Sequence, residues 1–202
     1  NSSALTISNN ITTANGLIDI NAPVTLGADV AISSGTGTGN VEFSSTISGT
    51  QNLDILSGTG AVTITDNIGG GGALTSLDIN ATGSSTGSGS ISILGNIGAD
   101  GTSGAGIVNI GNSNTGTITL GTSATESEYF TTGAQTYNAG TYSLVGTDPD
   151  FNASSENIKF LDGASGITLA TGSDLTVDTA HNLDGDITIE GAIGSTSGQT
   201  TT

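Results

Sequence analysis

The chain has no cysteine, no methionine and no tryptophan, and it sets a single lysine and no arginine against 18 Asp and Glu. Each absence removes a class of chemistry. Without cysteine there is no disulfide framework, no thiolate metal site and no thiol redox couple. The lack of both sulfur side chains fits an exported protein that avoids oxidisable groups. A net charge of −17 leaves nothing to neutralise phosphates, so nucleic-acid reading is excluded. No apolar run approaches the roughly 18 residues of a membrane span. No charged-then-apolar leader is present, and because the first residue is Asn1 the chain is expected to be processed or a segment of something longer. Aromatic residues are only 3% of the chain, which predicts a small, aliphatic core.

Few aromatics and a high net charge often mark disorder, but only 9% of residues are charged. Ile, Leu, Val and Phe instead recur at regular positions, which predicts a folded chain. Their template is Gly, any residue, apolar, any residue, apolar, then a third apolar residue four positions on. Five segments fit it: Gly16-Leu17-Ile18-Asp19-Ile20 with Val24, Gly39 to Phe43 with Ile47, Gly60 to Ile64 with Ile68, Gly89 to Ile93 with Ile97, and Gly185 to Ile189 with Ile193. Three weaker copies begin at Gly116, Gly140 and Ser165, and their third positions, Ala124, Asp148 and Ser173, lack a large apolar side chain. The copies recur on average about every 24 residues over the whole of 1–202, which is read as one repeat domain.

Alternation within each copy places Val62 and Ile64 on one face of a strand and Thr63 on the other. Most copies carry a second alternating pair: Val30 and Ile32, Leu53 and Ile55, Leu77 and Ile79, Val108 and Ile110, Ile158 and Phe160, Leu175 and Val177. At least two faces of each turn therefore point inward. Strand pairs too short to bury an apolar face alone bury it by stacking, and the 33 Gly supply corners. The expected fold is all-β, a parallel β-solenoid (β-helix) of about eight coils, on the order of 40 Å long. A sandwich of hairpins is the alternative, but it needs turn signals every 8–12 residues or so.

The segments Asn21 to Ser33, Gly39 to Leu56 and Thr131 to Gly140 resemble the β-strand repeats of large bacterial surface proteins, the filamentous-haemagglutinin-like and autotransporter-like adhesins. The resemblance implies an extracellular, right-handed parallel β-helix acting as a stalk or adhesive rod at the cell surface.

No catalytic constellation is expected, and the chain is read as a non-enzyme. Lys159 and His181 read as surface residues. A polysaccharide-binding or polysaccharide-cleaving β-helix is the alternative, requiring a groove where Asp148 and Asp150 meet Tyr129, Phe130, Tyr137 and Tyr142. Asp148-Pro149-Asp150 reads as a proline turn whose carboxylates bond nearby backbone, or as a cation site. A second cation candidate comes from register. Leu53-Asp54-Ile55, Leu77-Asp78-Ile79 and Val108-Asn109-Ile110 put Asp54, Asp78 and Asn109 at the same outward position, where stacked carboxylates repel unless solvent or a cation such as calcium relieves them. The other outward column, Asp19 and Glu42 followed by Thr63, Ser92, Thr119, Ser143, Thr168 and Thr188, reads as a hydroxyl ladder. A flat array of this kind also suits ice, but the column two residues earlier is irregular, which argues against an ice plane.

Asn-x-Ser/Thr triplets begin at Asn1, Asn10, Asn80 and Asn152 and arise readily by chance in such a composition. Neither end shows an obvious cap, so the expected partners are copies of the chain or adjacent repeats, end to end, together with surface glycans.

Overall fold

The computed structural model describes residues 3–81, 87–99, 102–122, 126–154, 156–163, 165–171, 173–179 and 185–195. They form an all-β parallel solenoid with a repeat of about 24 residues and no helix among them. Successive turns lay the chain along three faces as short strands, reduced on the second face to single bridges at Ile68 and Ile97. The first face is an unbroken eight-stranded parallel sheet running from Ile18–Ile20 through Val41–Phe43, Val62–Ile64, Ile91–Ile93, Thr117–Leu120, Thr141–Leu144 and Ile167–Leu169 to Ile193–Ser195. About seven turns carry the chain from the first of these strands to the last.

The third apolar position of the sequence template builds the second face. Leu5, Val24, Ile47, Ile68, Ile97, Tyr129, Phe151 and Val177 follow one another in register. The third face stacks Val30, Leu53, Leu77, Val108, Gln135, Ile158 and Ile187, with Ile32, Ile55, Ile79, Ile110, Tyr137, Phe160 and Ile189 beside them. Two long strands, Leu74–Ile79 and Ala105–Gly111, turn the corner between the second and third faces. Among the described residues one antiparallel pair, Gly98–Ala99 with Thr102–Ser103, interrupts the pattern.

Alternation sets the register. Ile64, Ile93 and Ile118 are fully buried, while Thr63, Ser92 and Thr119 are half-buried on the outer surface. A one-residue slip would exchange these sets, at a cost of about 1.5–3 kcal/mol for each large aliphatic side chain turned outward.

The last turn departs from the expected pattern. Ile187–Ile189 lies on the third face against Ile158–Leu161, not on the first, and Thr188 sits opposite Lys159, not below Thr168. Gly194 takes that place in the hydroxyl column, and Ile189 is only partly buried. Correspondingly, Leu175 and Val177 leave the third face, because Val177 pairs with Phe151 on the second. Pattern alone assigns spacing but not face, and variable corners let the phase advance by one strand. The same effect explains the weak third positions: Tyr129, Phe151 and Val177 complete the second face in place of Ala124, Asp148 and Ser173, with Ala124 itself outside the described residues.

Apart from Phe43, the core is aliphatic in the earlier turns, and it is aromatic farther on. Tyr129 stacks on Phe151 with ring centroids 4.6 Å apart, and Tyr137 on Phe160 at 5.0 Å. Edge contacts join Tyr142 to Phe160 and Phe151 to Phe160. The polar ends of Tyr137 and Tyr142 are met inside the solenoid, whereas the Tyr129 hydroxyl is buried without a hydrogen-bond partner. Buried Gln135 donates through Nε2 to the carbonyls of Tyr129 and Asn152, each at 2.8 Å, and accepts the Tyr137 hydroxyl at 2.9 Å. The Tyr142 hydroxyl shares its one proton between the carbonyls of Tyr137 and Leu161 and accepts the Ala139 N–H.

Polar side chains at the corners bind one coil to the next. The side-chain oxygens of Asn10, Asp29, Asn40 and Asn67 accept the N–H groups of Ala31, Asn52, Ala61 and Asn96, at 2.9, 2.9, 3.0 and 2.9 Å. Asn96 repeats the contact to Glu128, and Asn157 to Asp186. These bonds satisfy backbone donors that the strands leave unpaired where they turn.

Candidate functional site

Strand pairing brings Asp54, Asp78 and Asn109 together on the outer surface of the third face. Asp54 lies opposite Asp78, and Asp78 opposite Asn109, in one in-register row. Ala31 precedes the row, and Thr136, Lys159 and Thr188 continue it. The inward neighbours, Leu53, Ile55, Leu77, Ile79, Val108 and Ile110, are buried and hold the three backbones flat.

The row is electrostatically uneven. The Asn109 Nδ2 donates to Asp78 Oδ1 at 2.8 Å. Asp54 has no such donor at Oδ1, a buried oxygen without a hydrogen-bond partner. Its pKa is raised, first by burial and then by the Asp78 carboxylate. Two carboxylates and an amide oxygen in a column are oxygen ligands of the kind a hard divalent cation takes. Among the described residues, however, no group of three or more His, Cys, Asp or Glu is placed to hold a metal ion.

Asp148 and Asp150 part company. Asp148 has a left-handed backbone (φ 45°) and is exposed, and its Oδ1 accepts the Asp174 N–H at 2.9 Å. That bond reaches the following coil and is not confined to the turn. Pro149 is buried where the pairing skips from Glu126–Thr147 to Glu128–Asp150, an irregularity that accommodates a residue without an N–H. Asp150 faces outward opposite Glu128 and Thr176. Burial raises its pKa first, followed by Glu128, Asp178 and Glu126, and its Oδ1 is buried without a partner. Glu126 and Glu128 share the strand on one side of Asp150 and Asp178 lies on the strand on the other side, across an irregular register, so only the short alternation Glu126-Ser127-Glu128-Tyr129 hinted at them.

The aromatic groove does not form. Tyr129, Tyr137 and Tyr142 are wholly buried, and burial raises the pKa of each hydroxyl, that of Tyr142 to about 12. Phe130 alone faces outward, half-buried opposite Asn152. A surface depression of about 260 Å³ beside Ser143, Thr168 and Thr171 has no titratable side chain in its lining. Lys159 is half-buried in the third-face row, and His181 lies outside the described residues.

Of the Asn-x-Ser/Thr triplets, Asn1 lies outside the described residues. Asn80 is fully buried with its amide bonded to Ser57 at both ends, which excludes a glycan there in the folded chain. Asn10 is exposed with its oxygen held by Ala31, and Asn152 is half-buried.

Comparisons with protein-family models, with curated proteins and with solved structures find no match to this chain.

Proposed function

We propose that the chain is a structural or adhesive module of an extracellular bacterial surface filament or adhesin, a stiff rod whose role is to span distance and present its sides. The observation that carries this reading is the continuous three-faced core. Most large apolar side chains among the described residues are spent on stacking one coil on the next, and the outward rows are rich in hydroxyls, amides and carboxylates. The rod is a non-enzyme in this reading. Its partners are further coils or further copies end to end, with surface glycans along the sides. Support for end-to-end contact comes from the outermost described coils, where Leu5 and Ile187, in line with the core columns of the second and third faces, are 42% and 47% exposed.

Imaging of the native assembly tests the proposal. Continuous filaments or long surface rods containing this sequence support it. Discrete soluble particles that cleave acidic or neutral glycans overturn it and favour the polysaccharide-active alternative. That alternative has lost its buried tyrosines as sugar platforms, and its remaining surface aromatic is Phe130.

A further inference from the structure

Among the described residues, four other than glycine hold a left-handed backbone: Asn15 (φ 65°), Asn80 (51°), Asp148 (45°) and Asp162 (59°). Asn and Asp tolerate this conformation through local bonding of their short side chains. They are also the residues whose side-chain carbonyl carbon the next backbone nitrogen can attack, and their surroundings decide which of the four reacts. Asp148 precedes Pro149, whose nitrogen has no proton to lose. Asn80 is buried, bonded at both ends of its amide and followed by Ala81. Asp162 precedes Gly163, which is itself buried and so tightly stacked that a Cβ there would lie 2.2 Å from the Glu190 carbonyl oxygen.

Asn15 differs on each count. It is exposed and followed by Gly16 in the chain's one Asn-Gly pair. Gly16 is exposed too, and a Cβ there would meet only the Thr13 side chain, at 3.5 Å or more. The Asn15 Oδ1 accepts the Gly37 N–H at 2.6 Å, which draws electrons from Cγ and leaves Nδ2 as the departing group.

We propose that Asn15–Gly16 is a self-modification site at which the folded chain deamidates without an enzyme. The Gly16 nitrogen attacks Asn15 Cγ, forming a C–N bond as the Cγ–Nδ2 bond breaks. The proton lost by the Gly16 nitrogen passes through solvent to Nδ2, which leaves as ammonia, and a five-membered succinimide remains. Water opens this ring. Cleavage at Cγ restores the ordinary backbone with Asp at position 15. Cleavage at the main-chain carbonyl instead routes the backbone through Cγ as isoaspartate, one carbon longer.

The two products differ in consequence. Asp keeps an acceptor for Gly37 and adds one negative charge. Isoaspartate lengthens a corner that has no slack, because Gly39 of the next coil packs so closely that a Cβ there would lie 2.7 Å from the Gly16 carbonyl oxygen. The first coil then loosens from the second.

The test ages the full chain in mildly alkaline buffer, with peptide mapping for the gain of one mass unit at every asparagine and isoaspartyl methyltransferase labelling for the longer backbone. Gly16→Ala is the control, since the site has ordinary space for a Cβ and no left-handed φ at Gly16. Position 15 is expected to convert faster than every other asparagine by about an order of magnitude. Gly16→Ala is expected to keep the parent melting curve and lose most of the conversion. The proposal is overturned if Asn15 stays intact in the folded chain, whether or not it converts in urea, if another asparagine converts faster, or if Gly16→Ala converts at the parent rate.

Discussion

Replacing Gly89 by alanine should cost more stability than so small a change suggests. Gly39, Gly60, Gly89 and Gly116 occupy one corner of successive coils, two residues before the inward Val41, Val62, Ile91 and Ile118 of the first face. An ideal Cβ on Gly89 would lie 1.8 Å from the Gly60 carbonyl oxygen and 2.5 Å from its carbon. Ordinary contact begins near 3.4 Å, and the opposing atoms are backbone that cannot rotate away. The coils must part by about 1.5 Å where strands sit about 4.8 Å apart. That opening stretches the Ser90 carbonyl away from the Val62 N–H, now at 3.0 Å. Overpacking costs about 1–3 kcal/mol, and the lost hydrogen bond about 1 kcal/mol. Reduced freedom of the unfolded chain returns about 0.5–1 kcal/mol. The net loss is about 1–3.5 kcal/mol, which lowers the Tm of a chain this size by roughly 2–14 °C. Gly116, one coil farther on, has only the Ser88 carbonyl oxygen within reach, at 3.8 Å. Gly116→Ala should therefore melt at or slightly above the parent. Thermal melts followed by far-UV circular dichroism compare the pair, and equal melting temperatures would refute close backbone stacking as the reason for Gly89.

Asp54→Asn should raise stability at neutral pH. The raised folded pKa of Asp54 means its charged form costs the fold above that pKa, and the cost vanishes as the pH falls toward the ordinary carboxylate value. The Tm difference between variant and parent should close in acid, and a variant that melts lower at neutral pH would contradict this. Gln135→Ala strands the Tyr137 hydroxyl and the carbonyls of Tyr129 and Asn152, and should cost about 3 kcal/mol or more by denaturant unfolding. Tyr129→Phe removes a buried hydroxyl without a hydrogen-bond partner and should stay within about 0.5 kcal/mol of the parent in the same assay. If the Asp54–Asp78 row takes calcium, added calcium should raise the parent Tm more than that of Asp54→Asn, and equal shifts would remove the row as a cation site.

Most of the architecture was legible because two signals agreed. Alternation at Val62-Thr63-Ile64 gave the pleat, and the preceding glycine marked where one backbone lies on the next. The same alternation placed Asp54, Asp78 and Asn109 in one outward row, and the pairing has them there. Face assignment was harder. Ile187-Thr188-Ile189 has the local pattern of a first-face strand and lies on the third, because nothing within three residues encodes how many corners have been turned. Gln135 was hidden for a different reason. A polar side chain normally marks the outer row, but here it lies inside, where two carbonyls and a tyrosine hydroxyl surround it.

The candidate site was less legible than the fold because identical residue types serve both. Asp148, Asp29 and Asn67 each turn a side-chain oxygen to a backbone N–H one coil away, and Asp54 and Asp150, in equally ordinary sequence, keep an oxygen buried and unpartnered. The difference arises from what lies one turn away. At a corner the next strand has just ended or not yet begun, so it offers a free donor. In mid-strand the next backbone is already paired, and the side chain meets only its counterpart on the neighbouring coil. For Asp78 that counterpart is the Asn109 amide, and for Asp54 it is another carboxylate. Position along the strand, more than residue type, thus separates acids that fasten the rod from acids left for a proton, a cation or a partner to satisfy.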